Sequence, residues 1–290
     1  MLAQGLRADE PKTKLKISIF SKHLPFLKGD DLAAKAAELG YDGLDLTVRK
    51  GGHVEPERVK QDLPPLVALI RANGLEAPMV TTDIVDAETP FAEDILKTLA
   101  ELGIRQYRWM PAGGFKYTAA EPYPAQLERF KARIAKLATL NGRYNVGAMY
   151  HTHSGVGLVG APIWDLHIIM KDIDPKLVGI NYDIGHATIE GGLGGWIASW
   201  RVSGAHVRGI ALKDFVWAKG ARGWREEWTP IGEGMVHWDQ FLGMVAKSDF
   251  AGPVQIHYEY KLPESDRAAT YAAMKRDLTT LRGSFAKAGL

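Results

Sequence analysis

Four short segments place imidazoles, carboxylates and an amine at the spacing of a strand face. They are His151-Thr152-His153, Asn181-Tyr182-Asp183 with His186 just beyond, Lys213-Asp214, and His257-Tyr258-Glu259. Alternate residues of a strand point to one side, so His151 with His153, and His257 with Glu259, share a face. A divalent cation needs three or four nitrogen or oxygen ligands around one small volume, which converging strand ends can supply. The chain contains no cysteine, which excludes disulfides, thiolate ligation and a cysteine nucleophile. A lone strand histidine is ordinarily a hydrogen-bonded core or rim residue. Convergence from several strands is what argues for a metal.

Those segments end strands in a repeating strand–loop–helix pattern. Strands are predicted over residues 16–20, 42–48, 75–81, 104–110, 146–151, 177–183, 207–213 and 254–259. Helices are predicted over about 30–39, 56–72, 91–102, 124–140, 163–171, 193–202, 238–246 and 266–287. Their stops fall at Gly40, Gly74, Gly103 and Asn141-Gly142, and Pro64-Pro65 predicts a kink or break in the second helix. Eight βα units in one chain predict a single (β/α)8 TIM barrel over residues 15–290, preceded by a disordered tail over 1–14. An open doubly wound sheet is the competitor. It would show a glycine-rich turn after the first strand, where this chain reads SKHLPFLKGD.

In such a barrel the chemistry sits at the carboxyl ends of the strands. Ser21-Lys22-His23, then Asp45, Thr47 and Arg49 at alternate positions, Thr81-Thr82-Asp83, and Tyr107 with Trp109 join the four segments there. Trp109 ends strand four, and Trp217, Trp224 and Trp228 fall in a long loop after strand seven. Flat apolar faces beside hydrogen-bonding groups suit sugar rings. No glycine-rich anion cradle follows strands seven and eight, which argues against a phosphate; Arg49 and Lys213 are available to a carboxylate.

The balance of 36 Lys and Arg against 34 Asp and Glu gives a formal charge of +2, too even for an electrostatic nucleic-acid binder. No apolar run approaches the roughly 18 residues of a membrane span. The first 14 residues are polar and lack the apolar stretch of a signal peptide, so the cytoplasm is the default compartment; export is the alternative if the tail is the remnant of a trimmed signal.

The segments GYDGLDLTVRKGGHV, YHTHSG, VGINYDIGHATIEGG, LKDF, PIGEGMVHWDQF and FAGPVQIHYEY together resemble the xylose isomerase-like TIM barrels, the sugar phosphate isomerase/epimerase superfamily. The resemblance runs from about Lys16 to Tyr260. It implies an enzyme that acts on a free or keto sugar through an enediolate, as an isomerase or epimerase. A lyase or hydratase is the alternative, and a non-catalytic sugar-binding barrel a remote one. In the family's epimerases one metal is held by Glu, Asp, His and Glu from strands five to eight. Those positions fall here on His151, Asp183, Ala211 and His257. The implied metal set is therefore His151, Asp183 and His257, with Glu259 as a candidate fourth ligand. Nitrogen-rich ligation suits Mn, Co, Ni or Zn better than Mg.

The epimerases use their two metal-bound glutamates as acid and base. A metal-bound imidazole nitrogen has no free lone pair, so the catalytic candidates become Lys213, Glu259, His153 and His186. Substrate contacts are expected from His23, Arg49, Trp109 and Trp217. The expected partner is a small-molecule sugar, with no nucleic acid and no membrane; assembly into a homo-oligomer is left open. An endonuclease-like trinuclear site would need more ligands and a basic rim, and Ala211 cannot bind a metal.

Overall fold

The computed structural model describes residues 14–109, 115–221, 223–263 and 265–290. Residues 1–13 of the expected tail, and Met110 of the expected fourth strand, lie outside the described residues. Eight parallel strands close into one barrel: β1 (Ile17–Phe20), β2 (Gly43–Val48), β3 (Glu76–Thr82), β4 (Gln106–Trp109), β5 (Gly147–His151), β6 (Val178–Asp183), β7 (Val207–Leu212) and β10 (Val254–Ile256). β1 closes the ring by pairing with both β2 and β10. The strands are buried almost throughout, as parallel strands covered by helices must be.

Helices α1 (Gly29–Leu39), α2 (Val59–Ala72), α3 (Ala92–Glu101), α4 (Tyr123–Tyr144) and α5 (Ile163–Met170) follow the first five strands. Gly40 and Asn145 end α1 and α4 in the left-handed conformation, which leaves the last helical carbonyls capped. Pro64 and Pro65 do not break α2. The carbonyls they leave without donors belong to Lys60 and Gln61, both exposed, so water can take the place of the lost bonds. Asp266 caps α9 (Arg267–Ala288) by accepting from the Ala269 amide. None of the described helices is long and apolar enough to cross a membrane.

The sequence reading is corrected at four places: α4 runs through the expected stop at Asn141-Gly142 to Tyr144, the last barrel strand ends at Ile256 rather than at 259, and the chain differs in kind after β6 and after β7. The chain after β6 forms two helices, α6 (Ile184–Gly191) and α7 (Gly195–Ser203), rather than one starting at 193. The expected loop after β7 is a two-stranded antiparallel hairpin, β8 (Asp214–Gly220) and β9 (Gly223–Thr229), ahead of α8 (Trp238–Ala246). A Gly220–Gly223 turn between tryptophan-bearing runs was the available signal. Most of the hairpin is exposed, so no hydrophobic alternation marked it.

Candidate functional site

The barrel interior brings the strand ends together in layers. The Gln255 side-chain amide donates to Asn181 Oδ1 at 2.7 Å, a bond that skips β7 and therefore runs through the interior. Ala211 lies in register between Asp183 and Gln255, so Asp183, Ala211 and, two residues on, Lys213 and His257 face the same space. His151 is the register partner of Asn181 and joins them.

One ligand atom each from His151, Asp183 and His257 lies within 4.8 Å of the others, and all three residues are buried. His151 Nε2, Asp183 Oδ2 and His257 Nε2 are buried without any hydrogen-bond partner. Asp183 Oδ2 lies at ion-pair distance from Lys213 Nζ, 3.1 Å, and 3.4 Å from His151 Nε2, but the two imidazole nitrogens have no hydrogen-bond partner; burying them so is costly unless something fills the point they share with the carboxylate, and a divalent cation matches this donor set. Burial, with the charge of Arg108, holds His151 well below the usual imidazole range, and burial with the neighbouring His151 does the same for His257. Both rings are therefore neutral at neutral pH, the state a metal requires. The rings lie nearly parallel, 5.1 Å apart, and Phe20 stacks on His257 at 4.8 Å.

The surroundings of His151 fit the same group. Its Nδ1 is 2.9 Å from the Asn181 amide nitrogen. A ring that binds metal through Nε2 carries its proton on Nδ1 and must donate there. Rotating the Asn181 and Gln255 amides by half a turn, which leaves heavy-atom positions nearly unchanged, turns Asn181 Oδ1 toward Nδ1. The Asn181 amide then meets Gln255 Oε1, an atom otherwise unpartnered.

Asp183 serves two purposes. Its Oδ1 accepts the His186 amide at 3.0 Å and caps α6, while Oδ2 faces the ligand point. Thr152 Oγ1 accepts the Asp183 amide at 2.9 Å and fixes the strand end. Lys213 Nζ lies 3.1 Å from Asp183 Oδ2, 2.9 Å from His186 Nε2 and 4.0 Å from Glu259 Oε1, and it is buried. Among the described residues Lys213 makes no ion pair with the adjacent Asp214. Asp214 instead accepts from the amides of Phe215, Gly232, Gly234 and Val236 and from the Trp238 indole, organising the Gly232-Glu233-Gly234 turn. A Cβ on Gly234 would come within 2.1 Å of Asp214 Oδ1, so only glycine fits there.

His186 links Lys213 to the rim. If Lys213 donates to Nε2, Nδ1 carries the proton and donates to Ser154 Oγ at 2.7 Å. Burial, reinforced by the lysine charge, keeps His186 well below its usual range. Burial opposes ionisation of Glu259, yet Lys213 and Lys22 together hold its carboxyl below the ordinary value. Glu259 stands outside the group of three ligands and pairs with Lys22 at 3.4 Å. His153 spends Nδ1 on its own strand, at the His151 carbonyl, and burial pushes it down to about 4.

The expected substrate contacts separate. Trp109 is fully buried, donates its indole N–H to the Val85 carbonyl and packs edge-on against Phe115 and Tyr150. It therefore offers no open face to a sugar. The side facing the interior at β4 is that of Arg108, the register partner of Met149. Tyr107 reaches the other way, to Asn141 on α4. His23 Nε2 accepts the Tyr258 amide at 3.0 Å, anchoring the chain just after His257, and burial lowers it to about 3. Arg49 is half-buried, with its guanidinium over the Phe20 ring. Trp217 is 39% exposed on the hairpin and packs on Phe215.

Trp228 is the indole at the centre: Lys213 Nζ lies 4.7 Å from its ring centroid, and His186 meets it edge-on. Gly185 makes this approach possible, since a Cβ there would lie 2.8 Å from Lys213 Cγ and 3.2 Å from Trp228. A cavity of about 450 Å³ lined by Trp200, Arg201, Arg208 and Phe250 lies at the opposite end of the strands, away from these groups.

A family description, the xylose isomerase-like TIM barrel, matches residues 33–278, and the chain belongs to that family. No curated protein matches the sequence. Among solved structures, a xylose isomerase domain protein from Planctomyces limnophilus is similar at 18% identity and a TM-score of 0.68, covering 95% of this chain and 99% of the other. A 3-keto-D-glucoside 4-epimerase from E. coli is 15% identical with a TM-score of 0.67, covering 93% and 100%. A xylose isomerase-like barrel protein from Mycobacterium smegmatis, in complex with magnesium, is 15% identical with a TM-score of 0.66, covering 93% and 98%.

Proposed function

We propose that this protein is a divalent-metal-dependent enzyme that moves a proton beside the carbonyl of a free or keto sugar, through an enediolate, as a sugar isomerase or epimerase. The observation that carries this reading is the buried cluster of His151, Asp183 and His257 ligand atoms within 4.8 Å of one another, with a buried lysine 3.1 Å from the carboxylate. The activity of the E. coli neighbour, an epimerase of a keto-glucoside, supports the substrate class. A bound divalent ion supplies Lewis acidity at a carbonyl and its adjacent hydroxyl.

The chain's own residues handle the proton. Lys213 is held within reach of the substrate by Asp183 and His186, and its ammonium can stabilise developing oxyanion charge or, once deprotonated, remove the α-proton. His186 and Ser154 provide a path from Lys213 toward the rim. Glu259, ionised, is placed to exchange a second proton. The Trp228 face lies beside Lys213 and shields the site from water. His151 and His257 would hold the ion through Nε2 and would act as ligands rather than as acid or base. Manganese, cobalt, nickel or zinc fits two imidazoles and one carboxylate better than magnesium does.

One observation favours the lyase or hydratase reading within the same chemistry. Lys213, His186 and Glu259 cluster together beside Asp183. Epimerisation requires proton transfer on both faces of the carbon, whereas elimination or hydration across an enediolate is served from one.

The test is incubation of metal-loaded protein in D₂O with a panel of ketoses and 3-keto-glycosides, followed by NMR. Deuterium should enter beside the carbonyl, and the product distinguishes epimer from eliminated or hydrated sugar. Absence of exchange and of product with Mn²⁺, Co²⁺, Ni²⁺ and Zn²⁺ alike would reject the reading.

A further inference from the structure

Strands β2 to β4 present a second group of charged side chains, which the proton transfer above leaves unused. Arg108 on β4 shares its face with Met149, two residues before His151, so its guanidinium enters the same interior as the metal ligands. It is 6% exposed, and its Nε is buried without a partner. Among the described residues no ion pair or hydrogen bond reaches its guanidinium. Arg49, just past β2, brings a second guanidinium. The two cations share the Phe20 ring, at 5.6 and 5.7 Å from its centroid. Phe20 in turn stacks on the ligand His257, so the cations border the metal site.

Little on this side neutralises them. Asp45 on β2 is fully buried and receives the Thr81 hydroxyl, 2.9 Å from each of its oxygens. It makes no ion pair within 4 Å with either arginine among the described residues. Burial pushes it up to about 7, against the Thr81 hydrogen bond and the pull of both guanidiniums. Glu259 and Asp183 are engaged by lysines at the other side of the mouth. A buried guanidinium without a counter-ion is costly, and a substrate anion would remove that cost.

Arg108 and Arg49 offer planar donor pairs, which match a carboxylate in two-point contact. A phosphate is commonly cradled by backbone amides of the loops after strands seven and eight in barrels of this kind. Here the amides of Gly232, Gly234 and Val236 are already spent on Asp214.

We propose that Arg108, assisted by Arg49, binds the carboxylate of the substrate, so that the enzyme acts on a sugar acid rather than a neutral sugar. The proposal rests on the metal-dependent sugar chemistry assigned above and names the substrate class of that site. The carboxylate docks on the β2–β4 side, and the carbonyl carbon is thereby presented to Lys213 and the ligand triad on the other.

Calorimetric titration of the Co²⁺-loaded protein tests it with matched pairs: D-glucuronate against D-glucose, and D-galacturonate against D-galactose. At least one acid should bind tenfold or more tightly than its neutral parent. Arg108→Met should abolish that preference with Co²⁺ stoichiometry unchanged and Tm not lowered, and Arg108→Lys should restore part of it. Should Arg108→Met fail to fold, Arg49→Met is read in the same way. Binding of neither acid above its parent, tighter binding of D-glucose 6-phosphate than of the acids, or a preference that survives both substitutions would overturn the proposal. Deuterium exchange into a neutral sugar alone would refute the sugar-acid assignment and leave the enzyme reading standing; absence of all exchange would reject the enzyme reading and with it the substrate assignment, even where the acid preference in binding persists.

Discussion

The two halves of the barrel mouth differ in what they leave unsatisfied. β5, β6 and the end of β10 expose lone pairs: two imidazole nitrogens and a carboxylate oxygen without hydrogen-bond partners. β2 and β4 present positive charge: two guanidiniums over one aromatic ring, beside an Asp45 carboxyl whose ionisation burial opposes. One half asks for a cation and the other for an anion. A metal together with an anionic, carbonyl-bearing substrate would answer both. An inert scaffold would have little reason to bury partnerless imidazole nitrogens and a partnerless guanidinium in one volume, because each lowers stability.

The largest effect that separates the halves falls on Lys213. Lys213→Met should lower turnover by about 10²–10⁴-fold, the usual cost of a lost acid–base group, with metal content intact. Wild-type turnover in that variant would reduce the lysine to a structural counter-ion for Asp183. A smaller effect belongs to Asn181, which positions His151 through Nδ1. Asn181→Ala should weaken metal affinity by about 10–100-fold while turnover at saturating metal stays close to normal. Equal affinity in variant and wild type would remove the amide pair from the account.

The smallest effect is on stability of the metal-free protein. His23, His153, His151, His186 and His257 all resist protonation when folded, with His23 at about 3 and His153 at about 4. Below the ordinary histidine value of about 6.5 the unfolded chain gains protons that the folded chain does not. Their contribution is therefore present above pH 6.5 and lost as the pH falls toward 4 and 3. Asp45 works in the opposite sense, because its folded value of about 7 lies above its ordinary 3.8, so its contribution is lost as the pH rises between them. The histidines outnumber it. Tm should fall by several degrees between pH 7.5 and pH 5, and a flat profile would contradict the buried, neutral imidazoles.

Much of this was legible in the sequence because chemistry and periodicity coincided. His151 and Asp183 end strands of an eightfold repeat and His257 directly follows one, so topology brings them to one mouth. Arg108 was missed because Tyr107 and Trp109 on either side drew the reading to the opposite face of β4; one charged residue inside an apolar strand was the cue. Asn181 and Gln255 escaped because their bond links β6 to β10 across the interior, a pairing set by barrel closure. The short helix α6 was hidden because its cap, Asp183, is also a site residue. Trp109 shows the converse: an aromatic at a strand end is as ready to pack the scaffold as to meet a substrate.

The central claim is that His151, Asp183 and His257 form a metal site, and Co²⁺ titration followed by visible absorption tests it most directly. Wild-type protein should bind one ion per chain, with the ligand-field bands of a nitrogen- and oxygen-ligated Co²⁺ centre, and His151→Ala and His257→Ala should each abolish those bands while retaining the fold by circular dichroism. Absence of stoichiometric binding in the wild type, or unchanged bands in both variants, would contradict the account.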